Sequence, residues 1–124
     1  MTALAVFAHG SRVAGAGDAV HALAAQVAGA AGIALSTAAF LDPHHPTLPE
    51  AVAKLVARGA THIVVVPYLV MPGLHLKRDL PHLAARLESA HPGLEIRITP
   101  PLEGHPGLAA IVLDLARGAL AGWQ

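Results

Sequence analysis

The sequence contains no cysteine, and its aromatic residues are limited to one Trp, one Tyr and two Phe. Without cysteine, disulfides, zinc thiolate sites and thiol nucleophiles are excluded. Charged residues make up 13% and the formal net charge is zero, which argues against a nucleic-acid-binding protein, since such proteins usually carry a basic excess. The N-terminus lacks a signal-peptide pattern, and no apolar run of membrane-spanning length is free of charge, Pro or Gly. These absences predict a soluble cytoplasmic protein.

The residues that are present indicate a small apolar domain rich in histidine. Hydrophobic residues make up 54% of the 124 positions, and because aromatics are scarce the core must be built from Ala, Val, Leu and Ile. This length is enough for one core and too short for two, so we expect a single domain over residues 1–124. Nine histidines against eight Lys and Arg together make the histidine positions the first clue to function.

Four apolar segments alternate with four segments of helical periodicity. Ile63 to Val66 has no polar alternation, as expected for a parallel strand covered by helices on both faces. Leu94 to Ile98 alternates, which is typical of an edge strand. The pattern predicts a flavodoxin-like α/β fold of three layers, α/β/α, with a four-stranded parallel sheet in the order 2-1-3-4. We expect strands at residues 3–8, 33–41, 61–66 and 94–98, and helices at residues 13–31, 48–58, 80–91 and 108–120.

Local signals indicate where the helices begin and which face turns inward. Thr47-Leu48-Pro49-Glu50 is a capping-box pattern, with Thr47 as N-cap and Glu50 bonding back to it. Asp79 before Leu80-Pro81 is a typical N-cap for the third helix. In the fourth helix the apolar spacing predicts an inward face formed by Leu108, Ile111, Val112 and Leu115.

Histidines concentrate at the carboxyl edge of the predicted sheet. The strand order places the topological switch between the first and third strands, and these lead to His9 and His75. A single histidine there is commonly a surface or capping residue, and we expect His21 and His62 to be solvated. The convergence of His9 with His75 instead indicates a divalent transition metal bound by imidazole, or acid–base chemistry near neutral pH. The five histidines that follow predicted strands are His9, His44, His45, His75 and His105.

Other polar side chains follow the same strands. Arg12, Lys77 and Arg78 are basic groups beside the crevice, which suits a ligand with carboxylates, although Lys77 and Arg78 would also serve to solvate the start of the third helix. The Ser11 hydroxyl can cap the next segment or bind an anion. Asp42, directly after the second strand, is the best-placed carboxylate to act with the histidines.

The chain contains, in this order, Val6–Arg12, Ala39–Asp42 with Pro46-Thr47, Gly59–Pro67, Gly73–His75 with Asp79–Pro81, and Pro101–Pro106. In this combination it resembles the CbiX/SirB family of sirohydrochlorin chelatases, which are cofactor-free class II tetrapyrrole chelatases. His-Gly-Ser alone is a weak motif. Its combination with Gly-x-His and the following Asp-Leu-Pro is fairly specific, and the resemblance spans nearly the whole chain.

The resemblance implies a chelatase-like fold and insertion of cobalt or iron, as a divalent ion, into sirohydrochlorin on the way to cobalamin or sirohaem, with no prosthetic group. It implies that His9 and His75 bind the metal and help to take protons from the macrocycle. Asp42 stands where the family usually has glutamate, and His44 and His45, which depart from the usual pattern, would supplement the metal site or be neutral variation. Short members of the family work as homodimers. The apolar loop from Tyr68 to Leu74 would cover a face of the ring.

Other functions use the same residues. A non-enzymatic metal or tetrapyrrole carrier would need the same histidines. A phosphohistidine enzyme is disfavoured because Ala8, rather than Arg, precedes His9. A flavodoxin-like binding module is disfavoured because the first loop lacks a phosphate-cradling run of hydroxyls and glycines. The choice of metal is not fixed by sequence, because imidazole sites accept Co, Ni, Fe and Zn.

Overall fold

The computed structural model describes residues 1–70 and 73–123. Strands and helices alternate along the chain, and the four strands form one parallel sheet in the order β2-β1-β3-β4. This confirms the predicted fold class and strand order. The elements are β1 (Thr2–Ala8), α1 (Ala16–Ala31), β2 (Leu35–Phe40), α2 (Leu48–Ala57), β3 (His62–Pro67), α3 (Leu74–Ala90), β4 (Glu95–Ile98) and α4 (Pro106–Leu120).

The first strand lies at the centre of the sheet. Six of its seven residues are buried, and Val6 lies opposite Ala38 of β2 on one side and Val66 of β3 on the other. The edge strand β4 alternates instead, with exposed Glu95 and Arg97 between partly buried isoleucines. The predicted strand order thus placed β1 inside the sheet, and the alternation of Leu94 to Ile98 predicted the edge strand.

Three apolar clusters fill the space on the two faces of the sheet. The largest lies under α2 and α3 and includes Ile63 and Val65 of β3 with Val52 and Leu55 of α2. The two smaller clusters lie on the α1 side, one built around Leu4, Val6, Ala24 and Ala28 and one around Ala8, Ala38 and Phe40. Apart from Phe7 and Phe40, the buried core is thus made from small and branched aliphatic side chains, as the shortage of aromatics requires.

Helix α2 begins as its sequence predicts. The Glu50 N–H donates to the Thr47 hydroxyl at 3.4 Å, and the Thr47 N–H donates to Glu50 Oε1 at 2.8 Å. Both halves of the capping box are therefore formed. Gly59 follows the helix at φ +102°, a left-handed conformation that ends helices at low cost.

The start of α3 was predicted six residues too late, at residue 80 rather than at Leu74. Asp79 lies inside the helix, and the N-cap is Gly73. The apolar positions explain the difference, because Leu76 packs against the same cluster as Leu80 and its burial extends the helix towards its N-terminus. Pro81 is accommodated inside the helix. Similarly, α1 begins at Ala16 rather than Val13, because Gly15 adopts φ +84° before the helix.

The predicted inward face of α4 was wrong. The structure describes every residue of this helix, and none of them is buried. Leu108 is half-buried, whereas Ile111, Val112 and Leu115 are all exposed. Sequence periodicity identified an apolar stripe on this helix, but most of the stripe is exposed among the described residues, and only Leu108 is partly buried. Within residues 1–70 and 73–123, no helix has both the length and the apolar character needed to cross a membrane.

Candidate functional site

The candidate site lies at the carboxyl edge of the sheet, where β1 ends at Ala8 and His9 begins the loop to α1. His9 is exposed and lines a cavity of about 220 Å³ together with Phe40 from β2 and Tyr68 from the end of β3. The Tyr68 N–H donates to the Phe7 carbonyl at 2.7 Å, which extends the pairing of β1 with β3 up to the cavity. His9 is therefore presented to solvent by the rigid centre of the sheet.

Gly10 brings His44 against the loop that carries His9. Its φ is +88°, and a Cβ atom built at this position would lie 2.5 Å from Cγ of His44. Any side chain at position 10 would displace the His44 imidazole. It would also be strained by the positive φ. The glycine of the His-Gly-Ser motif thus allows the His44 ring to pack against the loop that carries His9.

His45 joins the capping network of α2. Its Nδ1 lies 2.6 Å from Glu50 Oε1, the same oxygen that accepts the Thr47 N–H. The backbone N–H of Thr47, the His45 ring and the Thr47 hydroxyl together lower the pKa of Glu50 from 4.5 to about 2. His45 therefore has only its Nε2 left for a metal.

His75 lies in the first turn of α3 and not in a loop. It is exposed at the same edge as His9, because β1 ends and α3 begins there. No cavity among those described is lined by both histidines. The cavity beside the start of α3, about 490 Å³, is lined by Leu76, Asp79 and His82 rather than His75.

The described residues contain no group of three or more His, Asp or Glu side chains arranged to hold a metal ion. The protomer therefore does not bring His9, His75, His44 and His45 together as one preformed coordination set. His44 packs against Gly10, the residue that follows His9. A metal bound here by one protomer would keep open coordination positions, as an ion that is to be passed on requires.

The remaining predicted site residues surround this edge. Asp42 is exposed directly after Leu41, whose N–H donates to the Ala8 carbonyl at 3.1 Å. The Ser11 hydroxyl accepts the Val13 N–H at 3.0 Å, so it shapes the first loop. Arg12, Lys77 and Arg78 are exposed, and Lys77 Nζ lies 3.6 Å from Glu103 Oε2, which links α3 to the loop before α4.

The apolar loop after β3 lies partly outside the described residues, since these exclude Met71 and Pro72. Around that gap, Tyr68, Val70 and Leu74 are exposed apolar side chains. With Leu102 and Ile111, Tyr68 and Val70 line an apolar cavity of about 490 Å³. An exposed apolar surface therefore adjoins the histidine edge.

His21 is exposed, as expected, but it also makes a contact that its sequence position did not indicate. Its Nδ1 accepts the N–H of Ala38 at 3.1 Å, a backbone group on the outer side of edge strand β2. Its ring also packs edge-on against Phe40, 6.0 Å between centroids, and Phe40 lines the His9 cavity. Only the packing of α1 on β2 could have revealed this contact. His105 was also missed as the N-cap of α4, where its Nδ1 accepts the Gly107 N–H at 2.9 Å.

A parallel α/β sheet with imidazoles at its carboxyl edge defines a chelatase-like domain. The CbiX family model matches residues 3–119, and the chain belongs to the CbiX family. A sirohydrochlorin cobaltochelatase from Methanocaldococcus jannaschii is 33% identical over 91 residues, which are 73% of this chain and 64% of that protein.

Solved structures support the same assignment. A CbiX protein from Marinobacter aquaeolei VT8 superposes with a TM-score of 0.80 at 28% identity, over 97% of this chain and 98% of the other. The sirohydrochlorin chelatase SirB from Bacillus subtilis subspecies spizizenii, in complex with cobalt, gives 0.81 at 28% identity, over 94% of this chain and 50% of its own. A structure of SirB from Bacillus subtilis with Fe³⁺ gives 0.77 at 28% identity, over 91% of this chain and 45% of its own. The matched segments span 34% to 64% of the length of the curated relatives.

Proposed function

We propose that this protein is a sirohydrochlorin chelatase that inserts Co²⁺ or Fe²⁺ into the macrocycle, for cobalamin or sirohaem biosynthesis. The observation that supports this most strongly is the placement of His9 and His75 at one edge of the sheet, one after β1 and the other in the first turn of α3. Membership of the CbiX family supports the substrate, and the cobalt and Fe³⁺ bound to SirB support the metals.

The chemistry of imidazole suits this reaction. Metallation of a tetrapyrrole requires that two N–H protons leave the ring and that water leaves the metal. A neutral imidazole binds a transition metal through one nitrogen and also accepts protons near neutral pH. In this proposal His9 and His75 hold the incoming metal. As the metal moves into the ring, each imidazole takes one of the two protons on the nitrogen that the metal leaves, and Asp42 assists as a base.

The neighbouring histidines supplement the metal site in this proposal. His44 packs against Gly10, which supports a role beside His9. His45 contributes through Nε2, because its Nδ1 faces Glu50. We expect loss of both rings to weaken metal binding rather than to abolish metallation.

The substrate is held by its carboxylates and by its flat face. Ser11, Arg12, Lys77 and Arg78 surround the histidine edge and supply hydrogen-bond donors to carboxylates. Exposed Tyr68 and Val70 provide apolar surface for the macrocycle. We further propose that the protein acts as a homodimer, since this chain matches only half of a SirB chain.

An anaerobic absorbance assay of sirohydrochlorin with Co²⁺ and with Fe²⁺ tests the proposal. The wild-type protein should metallate many equivalents, whereas His9→Ala and His75→Ala should each abolish turnover. His62→Ala is the matched control, because His62 is another exposed histidine and lies at the opposite, amino edge of the sheet. Circular dichroism would show that the variants remain folded. Near-normal rates in either site variant would refute the assignment.

A metal or tetrapyrrole carrier is the second candidate, because the described residues of one protomer form no complete metal site. Turnover separates the two functions. A carrier would bind or release about one equivalent per protein and stop, whereas an enzyme continues until the substrate is consumed.

A further inference from the structure

The loop between β2 and α2, which carries His45, is held at both of its ends. The Phe40 N–H donates to the Pro46 carbonyl at 2.8 Å, and this bond closes the loop on itself. The Leu41 N–H donates to the Ala8 carbonyl at 3.1 Å, and this bond ties the loop to β1. The backbone around His45 is therefore held by contacts within the protomer.

The side chain of His45 is oriented by a carboxylate. Its Nδ1 lies 2.6 Å from Glu50 Oε1, and the same oxygen accepts the Thr47 N–H at 2.8 Å. Glu50 is itself held in the first turn of α2, because its own N–H donates to the Thr47 hydroxyl at 3.4 Å. One carboxylate oxygen therefore serves two purposes, since it caps the helix and also contacts the imidazole.

This contact determines which ring nitrogen is available to a metal. An ionised carboxylate only accepts hydrogen bonds, so the contact with Glu50 requires the proton on Nδ1 of His45. In the neutral ring, Nε2 then carries the lone pair that binds a metal. The side chain of His45 is 66% exposed, so an ion in solution can reach Nε2. Histidines that bind metals typically donate their other ring N–H to a carboxylate or carbonyl, which orients the ring and makes it a stronger ligand.

We propose that Glu50 is a positioning residue for metal binding: through its contact with Nδ1 it holds the His45 ring so that Nε2 takes up the divalent ion. This inference rests on the proposed function, in which the metal is a substrate, and adds the residue through which His45 acts. The neighbour of His45, His44, packs against Gly10, so the ion is bound close to the loop that carries His9. The described residues form no group of three or more His, Asp or Glu ligands, so an ion on His45 keeps exchangeable water and can be passed on.

NMR spectra that correlate the nitrogens and protons of each imidazole test the orientation of His45 in the intact protein. The signals of this ring are those that disappear in His45→Ala. At mildly alkaline pH, where imidazoles are neutral, the wild-type ring should carry its proton on Nδ1. Glu50→Ala should abolish this preference. A wild-type ring with its proton on Nε2 would overturn the proposal.

Titration with Zn²⁺ in the same spectra measures metal binding at this one ring. Zn²⁺ is the probe because imidazole binds it and it has no redox chemistry. Glu50→Ala should raise the Zn²⁺ dissociation constant at His45 about tenfold, as the loss of an outer-shell partner of a metal ligand does. If Glu50→Ala does not fold, as judged by circular dichroism, Glu50→Gln provides the same test, because it removes the charge and keeps the shape of the side chain.

The matched control is Thr47→Ala, which removes the other half of the capping box and leaves the carboxylate beside the imidazole. It should leave the Zn²⁺ dissociation constant at His45 nearly unchanged. If Thr47→Ala and Glu50→Ala weaken Zn²⁺ binding equally, Glu50 acts only by stabilising the start of α2. That result would overturn the proposal.

A double-mutant cycle gives a second measurement, in which calorimetry follows the binding of Co²⁺ to the whole protein. Glu50→Ala should weaken Co²⁺ binding in the wild-type background and have no further effect when His45→Ala is also present, because the two residues act as a unit. Equal effects in both backgrounds would show that Glu50 does not act through His45.

Turnover of sirohydrochlorin separates this inference from the proposed function. A protein in which Zn²⁺ binds His45 and depends on Glu50, but which does not metallate sirohydrochlorin, would refute the proposed function alone. Normal metallation by the wild type, together with Zn²⁺ binding that Glu50→Ala leaves unchanged, would refute this inference alone.

Discussion

Helices α2 and α4 are both apolar and both begin with a capped N-terminus, yet their surroundings are opposite. Four of the ten residues of α2 are buried, among them Val52 and Leu55. The 15 residues of α4 include none. The difference shows that apolar periodicity identifies the face of a helix that must be buried. It does not identify the surface that buries it. For α2 that surface belongs to the same protomer, whereas Ile111, Val112 and Leu115 of α4 are exposed.

The largest expected effect on stability comes from a substitution in α2, the buried helix of this pair. Leu55→Ala removes a side chain that is 2% exposed in the core under α2, and should lower the free energy of unfolding by about 2–5 kcal/mol. The physical reason is the lost transfer free energy together with the cavity that remains. Urea denaturation monitored by circular dichroism measures it. A loss below about 1 kcal/mol would mean that α2 contributes no more to the protomer than α4 does.

A smaller loss is expected from the cap of α2. Thr47→Ala removes the hydroxyl that accepts the Glu50 N–H and should cost about 0.5–2 kcal/mol of unfolding free energy. The same denaturation experiment measures it. Ser89→Ala, an exposed hydroxyl late in α3, is the control and should remain within about 0.5 kcal/mol of wild type. If both variants lose the same amount, the capping box does not stabilise α2.

The pH dependence of stability tests the contribution of the Glu50 carboxylate to the cap of α2. Because hydrogen bonds to the ionised form hold the folded pKa at about 2, below its ordinary 4.5, folding favours the carboxylate. Its contribution is present above about pH 4.5 and is lost as the pH falls through about 2. The stability difference between wild type and Glu50→Gln should therefore shrink over this range. A difference that stays constant with pH would exclude the carboxylate as its source. The effect is modest, because Glu50 is exposed and screened by solvent.

The smallest effect on stability is expected in α4, the exposed helix. Leu115→Ala should change the unfolding free energy of the dilute, monomeric protein by less than about 0.5 kcal/mol, because this leucine has no cover within the protomer. The measurement is the one used for Leu55→Ala, made below the dimer dissociation constant. A loss comparable to that of Leu55→Ala would show that α4 packs inside its own protomer.

Much of the fold was predictable because its causes are local. The unbroken run Ile63 to Val66 predicts a buried parallel strand, and Thr47 with Glu50 predicts the start of α2. The start of α3 was not predictable in this way. Asp79 has the chemistry of an N-cap, but the burial of Leu76 and Leu80 against the core extends the helix towards its N-terminus, beyond Asp79. Where a local signal and a tertiary contact disagreed, the buried contact decided.

The candidate site also has features that the sequence predicts and contacts that it does not predict. The position of His9 after β1 follows from the strand pattern, and His75 follows at the same edge. The contact of His44 with Gly10 and that of His21 with Ala38 join residues of different segments. Sequence periodicity cannot predict such contacts, since they depend on how two loops, or a helix and an edge strand, are placed in space.

By itself, the sequence determined the parallel sheet, its strand order, the α2 cap and the edge at which the histidines gather, because apolar runs, caps and right-handed crossovers are properties of short segments. Tertiary structure alone decided which histidines have partners and that most of the apolar stripe of α4 is exposed among the described residues. These outcomes depend on the surface opposite each residue, and that surface comes from distant segments of the chain.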